Sequence, residues 1–290
     1  MATIVTPNAA PRSVAAVVLL GWMPRDQAIN LLTNECVEPH FDQVQAAEAW
    51  EQFHARIQES PERPCAAPQR LPLTGAERQE ANGFLHRCRQ MGAANIQDVI
   101  KVDHRLCTVW QLQIVTERSE AYARSMGTSH GKLRHCLGLH VAPAGQVQIM
   151  SRPNDVRVQI PHAEFTFNFI QPTGQNGGGF LIQEMAKHIT TTAYGQRLLL
   201  WSGYHRSFAL MTNEYPEGMD RSLVAVLTTD GDAVLSPQSP NQGVREMLRG
   251  LRPPLFADFF DERFCMRVRL RKKRCELWIQ GRIMWFDAES

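Results

Sequence analysis

The segment Arg197-Leu-Leu-Leu-Trp-Ser-Gly-Tyr-His-Arg-Ser-Phe-Ala-Leu-Met211 holds residues whose order suits anion binding. An apolar strand is expected to stop at Ser202, and Gly203 lets the backbone turn sharply because it has no Cβ to clash. The helix expected to follow turns its unpaired N–H groups and the positive end of its dipole toward that turn. The guanidinium of Arg206 and the imidazole of His205 stand beside it. Oriented donors, partial positive charge and a guanidinium make a phosphate site from Gly203, His205, Arg206 and Ser207. The plainer alternative is that His205 and Arg206 cap the helix or pair with a carboxylate such as Glu184.

Three further groupings carry chemistry-bearing side chains. His130, His135 and His140 lie beside Cys136, and imidazole with thiolate is a zinc donor set. Their spacing stacks on no single helix face, and Lys132 and Arg134 make a basic loop an equal reading, so no metal is assigned. The run from Arg263 to Arg274 is the densest positive charge in the chain. On a strand, Arg267, Arg269 and Arg271 would share one face while Val268 and Leu270 turn to the core. With Lys272, Lys273 and Arg274 they form either a nucleic-acid contact or a charged edge strand protected against aggregation. Asp258 and Asp261 flank phenylalanines, where aromatic core packing competes with metal–nucleotide binding. No nucleophile elbow, Walker loop, dinucleotide fingerprint or metalloprotease helix is present.

Composition sets the frame for these groups. With 290 residues and 43% of them hydrophobic, the chain can bury a sizeable core in one to three domains. A net charge of +2, from 31 basic and 29 acidic side chains, implies no polyanion partner by itself. Seven cysteines, an odd number with no CxxC pair, fit reduced and buried thiols better than a disulfide framework. The apolar run over 13–23 is shorter than the roughly 20 residues of a membrane span. It also lacks a signal-peptide cleavage region, so a cytoplasmic protein with no membrane partner is expected.

The elements that must position the site read as α+β. Helices are expected over 26–34, 42–58 and from Thr74, where Thr74 and Glu77 form a capping box. In the second, Val44, Ala47, Trp50, Phe53 and Ile57 make one apolar face. Residues 99–102 and 107–115 suggest a hairpin around Asp103-His-Arg, followed by a helix over 117–126. Strands are expected at 156–160 and 165–170, then a glycine-rich loop over 172–179 and an amphipathic helix over 180–190. A strand over 197–201, a helix from 207, a strand over 222–228 and a helix over 244–251 follow. The chain closes on an expected β-hairpin of 264–270 with 275–280.

Gly203-Tyr204-His205-Arg206 with Ala209 resembles the Gly-x-His-Arg turn and following helix of the ParB/sulfiredoxin-like fold. Ile182-Gln-Glu-Met-Ala-Lys-His-Ile189 is similar to the family's leucine-alanine-x-serine-isoleucine helix, and Ile170-Gln-Pro172 to its first box. The resemblance spans about 156–230 and implies a mixed α/β nucleotide- or phosphate-binding core. Sulfiredoxins carry their nucleophilic cysteine where Tyr204 stands, so a sulfinic-acid reductase is not implied. The partition proteins add a glutamate and a second arginine in the turn, and an arginine in the first box where Thr173 or Gly174 falls; these are absent here.

The expected organisation is a helical N-terminal region (1–92), an intermediate α/β segment (93–150), the ParB/sulfiredoxin-like core (151–235), and a C-terminal helix with the basic hairpin (236–290). The expected function is binding of a nucleotide or other phosphorylated ligand in a regulatory or genome-associated role. The enzymatic alternative is phosphoryl transfer or nucleotide hydrolysis, with His205 and Arg206 on the phosphate and Glu184 as base or ligand for Mg2+. A third reading is a protein-interaction module with a vestigial phosphate site.

Overall fold

The structure, a computed structural model, describes residues 13–63, 68–90, 92–126, 133, 136–137, 148–152, 155–160, 165–170, 179–184, 188–212, 222–229, 242–271 and 275–280. The chain divides into two compact units, one of Met1–His140 with Lys187–Arg271 and one of Val141–Ala186 with Lys272–Ser290. Both helices and sheets are present, as α+β requires.

In the first unit the apolar run becomes β1 (Ser13–Val18), followed by a 3-10 turn (Leu20–Trp22) and α1 (Arg25–Asn30). A π-helical turn (Leu31–Glu35) then leads into β2 (Cys36–Glu38). Helix α2 (Gln43–Gln58) opens on a capping box in which Asp42 accepts from the Gln45 amide at 2.8 Å. Its buried face is Ala46, Phe53 and Ile57, with Trp50 half-buried; Val44, expected on that face, is 66% exposed because it lies in the first turn. Helix α3 (Gly75–Gln90) has the expected box, the Thr74 amide donating to Glu77 at 2.8 Å and the Glu77 amide to Thr74 Oγ1 at 3.3 Å.

Then come β3 (Ile96–Val102), a 3-10 turn (His104–Leu106), β4 (Thr108–Val109), β5 (Gln113–Val115) and α4 (Thr116–Met126). The second unit's described strands are β6 (Gln148–Arg152), β7 (Asp155–Ile160), β8 (Phe165–Ile170) and β9 (Gly179–Glu184). The first unit resumes with β10 (Thr190–Tyr194), β11 (Arg197–Ser202), α5 (Tyr204–Thr212) and β12 (Leu223–Thr228). It ends with α6 (Gln242–Arg249), a 3-10 helix (Phe256–Phe260) and β13 (Met266–Arg271), while β14 (Cys275–Gln280) belongs to the second unit.

Two sheets build the first unit. One is antiparallel in the order β2-β13-β1-β5; the other is mixed, in the order β3-β12-β10-β11-β4. Ala16, Val18, Val268 and Leu270 of the first sheet bury against Ala28, Leu32, Ala46 and Phe53 of the helices. In the second unit β6 and β14 flank β7, and β8 pairs with β9.

Several expectations fail for identifiable reasons. Residues 99–102 and 107–115 form no hairpin: β3 pairs with β12 and β4 with β11, at opposite edges of the mixed sheet. The turn between them is used to cross the sheet rather than to fold back on itself. The expected helix over 180–190 is a strand over Gly179–Glu184, with Phe169 opposite Phe180 and Phe167 opposite Ile182. Cross-strand pairing with an aromatic partner outweighs a helical spacing that is only about three turns long. The basic C-terminal hairpin is also absent, because β13 pairs with β1 and β2 whereas β14 pairs with β7.

Candidate functional site

Strand β11 is apolar and buried over Arg197–Leu200, and its chain reverses at Gly203 with φ of +87°. A Cβ there would stand 2.9 Å from the Ile189 Cα, so glycine is required both by the backbone conformation and by the closeness of Ile189. Helix α5 starts at the next residue, three positions earlier than the sequence pattern suggests.

The side chains of this turn go to different places. Tyr204 is buried, and its hydroxyl donates to the Leu200 carbonyl at 2.6 Å. The same oxygen accepts from the amides of Trp110 at 3.0 Å and Gln111 at 3.3 Å. Residues 110–112 join β4 of one sheet to β5 of the other, so Tyr204 fastens the connection between the sheets. Burial pushes its phenol well above the usual range, and a group so occupied serves structure.

His205 is half-buried and accepts through Nε2 from the Val115 amide at 3.1 Å. That bond requires a neutral ring with its proton on Nδ1. Ser207 is fully buried, with its Oγ 3.1 Å from His104 Nδ1, which is itself buried. Its hydroxyl is thereby committed inside the protein, which removes Ser207 from the expected ligand set.

Arg206 differs from its neighbours. It is only 7% exposed, and its guanidinium lies over the Tyr122 ring at 5.1 Å. Among the described residues no carboxylate pairs with it. His188 stands nearby; burial first and the Arg206 charge second push its imidazole down to about 4. Arg206 therefore faces an aromatic ring and an uncharged imidazole. Glu184, offered as its partner or as a catalytic base, lies on β9 in the other unit.

The remaining candidates separate clearly. Arg267, Arg269 and Arg271 are exposed on β13 while Val268 and Leu270 are buried, the alternation expected of the strand. Arg269 has carboxylates of Glu38 and Glu117 each at 3.8 Å. Lys272, Lys273 and Arg274 lie outside the described residues. So do His130, His135 and His140, whereas Cys136 is buried and forms no disulfide. Among the described residues no cluster of His, Cys, Asp and Glu has the arrangement of a metal site. Asp258 is buried and held by Arg63 in a bidentate pair, Nη1 to Oδ2 at 2.7 Å, and it also accepts from the Leu255 amide at 2.8 Å. Asp261 is engaged by Arg263. Neither aspartate is arranged for a metal–nucleotide.

Sequence reasoning missed a cavity of about 530 Å³ that His205 lines together with Trp22, Trp110, Gln113, Arg118 and Met247. Its walls come from four separate stretches of chain, so no local motif announces it. The one available signal was the number of tryptophans in half-polar surroundings.

Among the described residues no helix is long and apolar enough to cross a membrane. Comparison with protein-family models, curated proteins and solved structures finds no match.

Proposed function

We propose that the chain binds a phosphorylated ligand, a nucleotide in the first instance, at the opening turn of α5, with Arg206 as the charge that holds it. The observation that carries this is the buried guanidinium of Arg206 with a ring as its partner and no carboxylate among the described residues. Removing an ion from water costs several kcal/mol even after relaxation, and a desolvated cation–π contact returns on the order of 2 kcal/mol. A bound anion offsets the difference. The positive-φ glycine and the first turn of α5 supply a dipole of the right sign. The order β11, Gly203, α5, β12 has the sequence of elements that the ParB/sulfiredoxin-like resemblance implies for this stretch, whereas the segment likened to the family's preceding helix forms strand β9 through Glu184. Binding is favoured over hydrolysis because Tyr204, Ser207 and His205 all have structural partners.

Titration of the whole chain with inorganic phosphate, pyrophosphate and nucleoside triphosphates tests the reading. Saturable binding that Arg206→Met weakens by about tenfold or more is expected. Without ligand, Arg206→Met should be as stable as the parent, since no ion pair is broken. Equal binding by both chains, or a variant destabilised by several kcal/mol, would reject it.

A nucleic-acid contact on β13 is proposed as a second reading, favoured by the exposure of Arg267 and Arg271 on one face. Binding to DNA or RNA that falls steeply with salt, and falls further in Arg267→Ala/Arg271→Ala, is the expected outcome.

A further inference from the structure

A cavity of about 620 Å³ lies between the 3-10 turn Leu20–Trp22, α2 and the end of α6. It adjoins the cavity beside His205, with Trp22 and Met247 in both walls. Trp22, Trp50, Ile57 and Leu251 give it apolar surface, and both indoles are fixed. Trp22 Nε1 donates to the Arg252 carbonyl and Trp50 Nε1 to the Met23 carbonyl, each at 2.9 Å. Trp50 is also stacked on His54, with ring centroids 4.6 Å apart, and His54 Nδ1 donates to the Gly21 carbonyl at 2.9 Å. Indoles whose N–H groups are used internally present carbon surface to a ligand, already in place before it binds.

Two opposite charges stand in the same wall. The Arg252 side chain is only 12% exposed, and its Nε has no hydrogen-bond partner among the described residues. The carboxylate within reach, Asp258, is 3.9 Å away and is held by Arg63 in a bidentate pair. The guanidinium lies over the Phe264 ring at 4.4 Å, and burial together with the Arg63 charge lowers its pKa from the ordinary value. A nearly buried cation with a ring and a shared carboxylate is short of negative charge. Glu62 is exposed and makes no hydrogen bond or ion pair among the described residues, whereas Glu246, also in the wall, has a partner of its own. Arg252 Nη1 donates to the Pro61 carbonyl at 3.4 Å, which sets the guanidinium beside the residue preceding Glu62. The Arg63 amide donates to the Leu251 carbonyl at 3.1 Å, so residues 61–63 run alongside 251–252. A simple anion would meet Glu62, and a simple cation would meet Arg252. A zwitterion with both charges on one carbon matches the pair, and the apolar walls match its side chain. The volume falls within the roughly 300–1,000 Å³ of small-molecule sites.

We infer that this cavity binds a free α-amino acid with a large apolar side chain, its carboxylate on Arg252, its ammonium on Glu62 and its side chain against Trp22 and Trp50. The inference does not depend on phosphate binding at Arg206.

The test uses the full chain, tryptophan fluorescence and three matched probes: L-phenylalanine, 2-phenylethylamine, which lacks the carboxylate, and 3-phenylpropionate, which lacks the ammonium. Phenylalanine should bind saturably, with phenylethylamine weaker by about tenfold or more. Phenylpropionate should be weaker by about threefold or more, a smaller factor because Glu62 is exposed and screened. Arg252→Gln should bring phenylalanine down to the level of phenylethylamine, and Glu62→Gln should close the gap between phenylalanine and phenylpropionate. Glu62 is at the surface, so its variant decides the matter even where Arg252→Gln fails to fold. Arg206→Met should leave phenylalanine binding unchanged while removing phosphate binding, so the two sites fail separately. No saturation by phenylalanine, equal affinity for the three probes, a gap that survives Glu62→Gln, or loss of phenylalanine binding in Arg206→Met would overturn the inference.

Discussion

The Val115 amide donates to His205 Nε2 at 3.1 Å, tying the end of β5 to the first turn of α5. The bond sets the tautomer of the one side chain of the Gly203 turn that lines the cavity. Replacing His205 by Phe leaves a backbone donor without its acceptor, and a lost partner of this kind costs about 1–3 kcal/mol. Urea unfolding should show that loss. His205→Gln, whose amide oxygen can accept, should recover part of it.

Tyr204→Phe keeps the ring but removes the oxygen that joins Leu200 to the amides of Trp110 and Gln111. The expected cost is about 1–3 kcal/mol. Because the bond ties the crossing between the two sheets, exchange of the Trp110 and Gln111 amides with deuterium should accelerate more than the global destabilisation predicts. Unchanged exchange at these amides would show that Tyr204 is not the fastening.

Gly203→Ala puts a methyl group at a φ of +87° and 2.9 Å from Ile189. A left-handed backbone costs an ordinary residue about 1–2 kcal/mol, and overpacking adds about 1–3. A drop of about 2–5 kcal/mol in unfolding free energy is expected from denaturant curves, with phosphate binding also lost.

Asp258→Ala leaves Arg63 as an uncompensated charge against the 3-10 helix Phe256–Phe260, and breaking a buried pair costs about 3–5 kcal/mol. The double variant Arg63→Met/Asp258→Leu should lose less than Asp258→Ala alone. A thermodynamic cycle on these chains gives the coupling directly.

His188 should make stability depend on pH. Folding holds its imidazole at about 4, by burial and then by Arg206, against an ordinary value of 6.5. Below pH 6.5 the unfolded chain takes up a proton that the folded chain refuses. Its contribution is therefore complete above pH 6.5 and is lost as pH falls toward 4, with a slope of at most about 1.4 kcal/mol per pH unit. Residual solvent contact lowers that ceiling. Denaturant midpoints between pH 7 and 4.5 should converge for the parent and His188→Gln as acid is added.

What the sequence showed depended on the range of the interactions involved. Helix α2 was readable from the helical spacing of Trp50, Phe53 and Ile57, and α3 from its cap, Thr74 with Glu77, because both signals act within a turn or two of chain. The alternation of β13 was equally visible, since Val268 and Leu270 carry a strand's period by themselves. Pairing was not readable. β3 and β4 sit at opposite edges of one sheet because β12, β10 and β11, from a distant part of the sequence, come between them. The strand β10, with its Thr190–Tyr194 run before a positive-φ Gly195, had a legible hairpin signature that the adjacent helical spacing concealed. At the site, Gly203 and Arg206 were legible as a motif. The destinations of Tyr204, Ser207 and His205 were set by Leu200, His104 and Val115, of which only Leu200 lies within the motif.

The place of β13 between β1 and β2 also governs how the chain can be made. Ser13 pairs with Arg271 and Val18 with Met266, so the partner of β1 emerges from the ribosome about 250 residues later. At roughly 5–20 residues per second, the wait is on the order of 10–50 s. Through that interval one edge of an apolar strand stays open to any passing chain, which makes this the stage of biosynthesis at which a chaperone has most to protect.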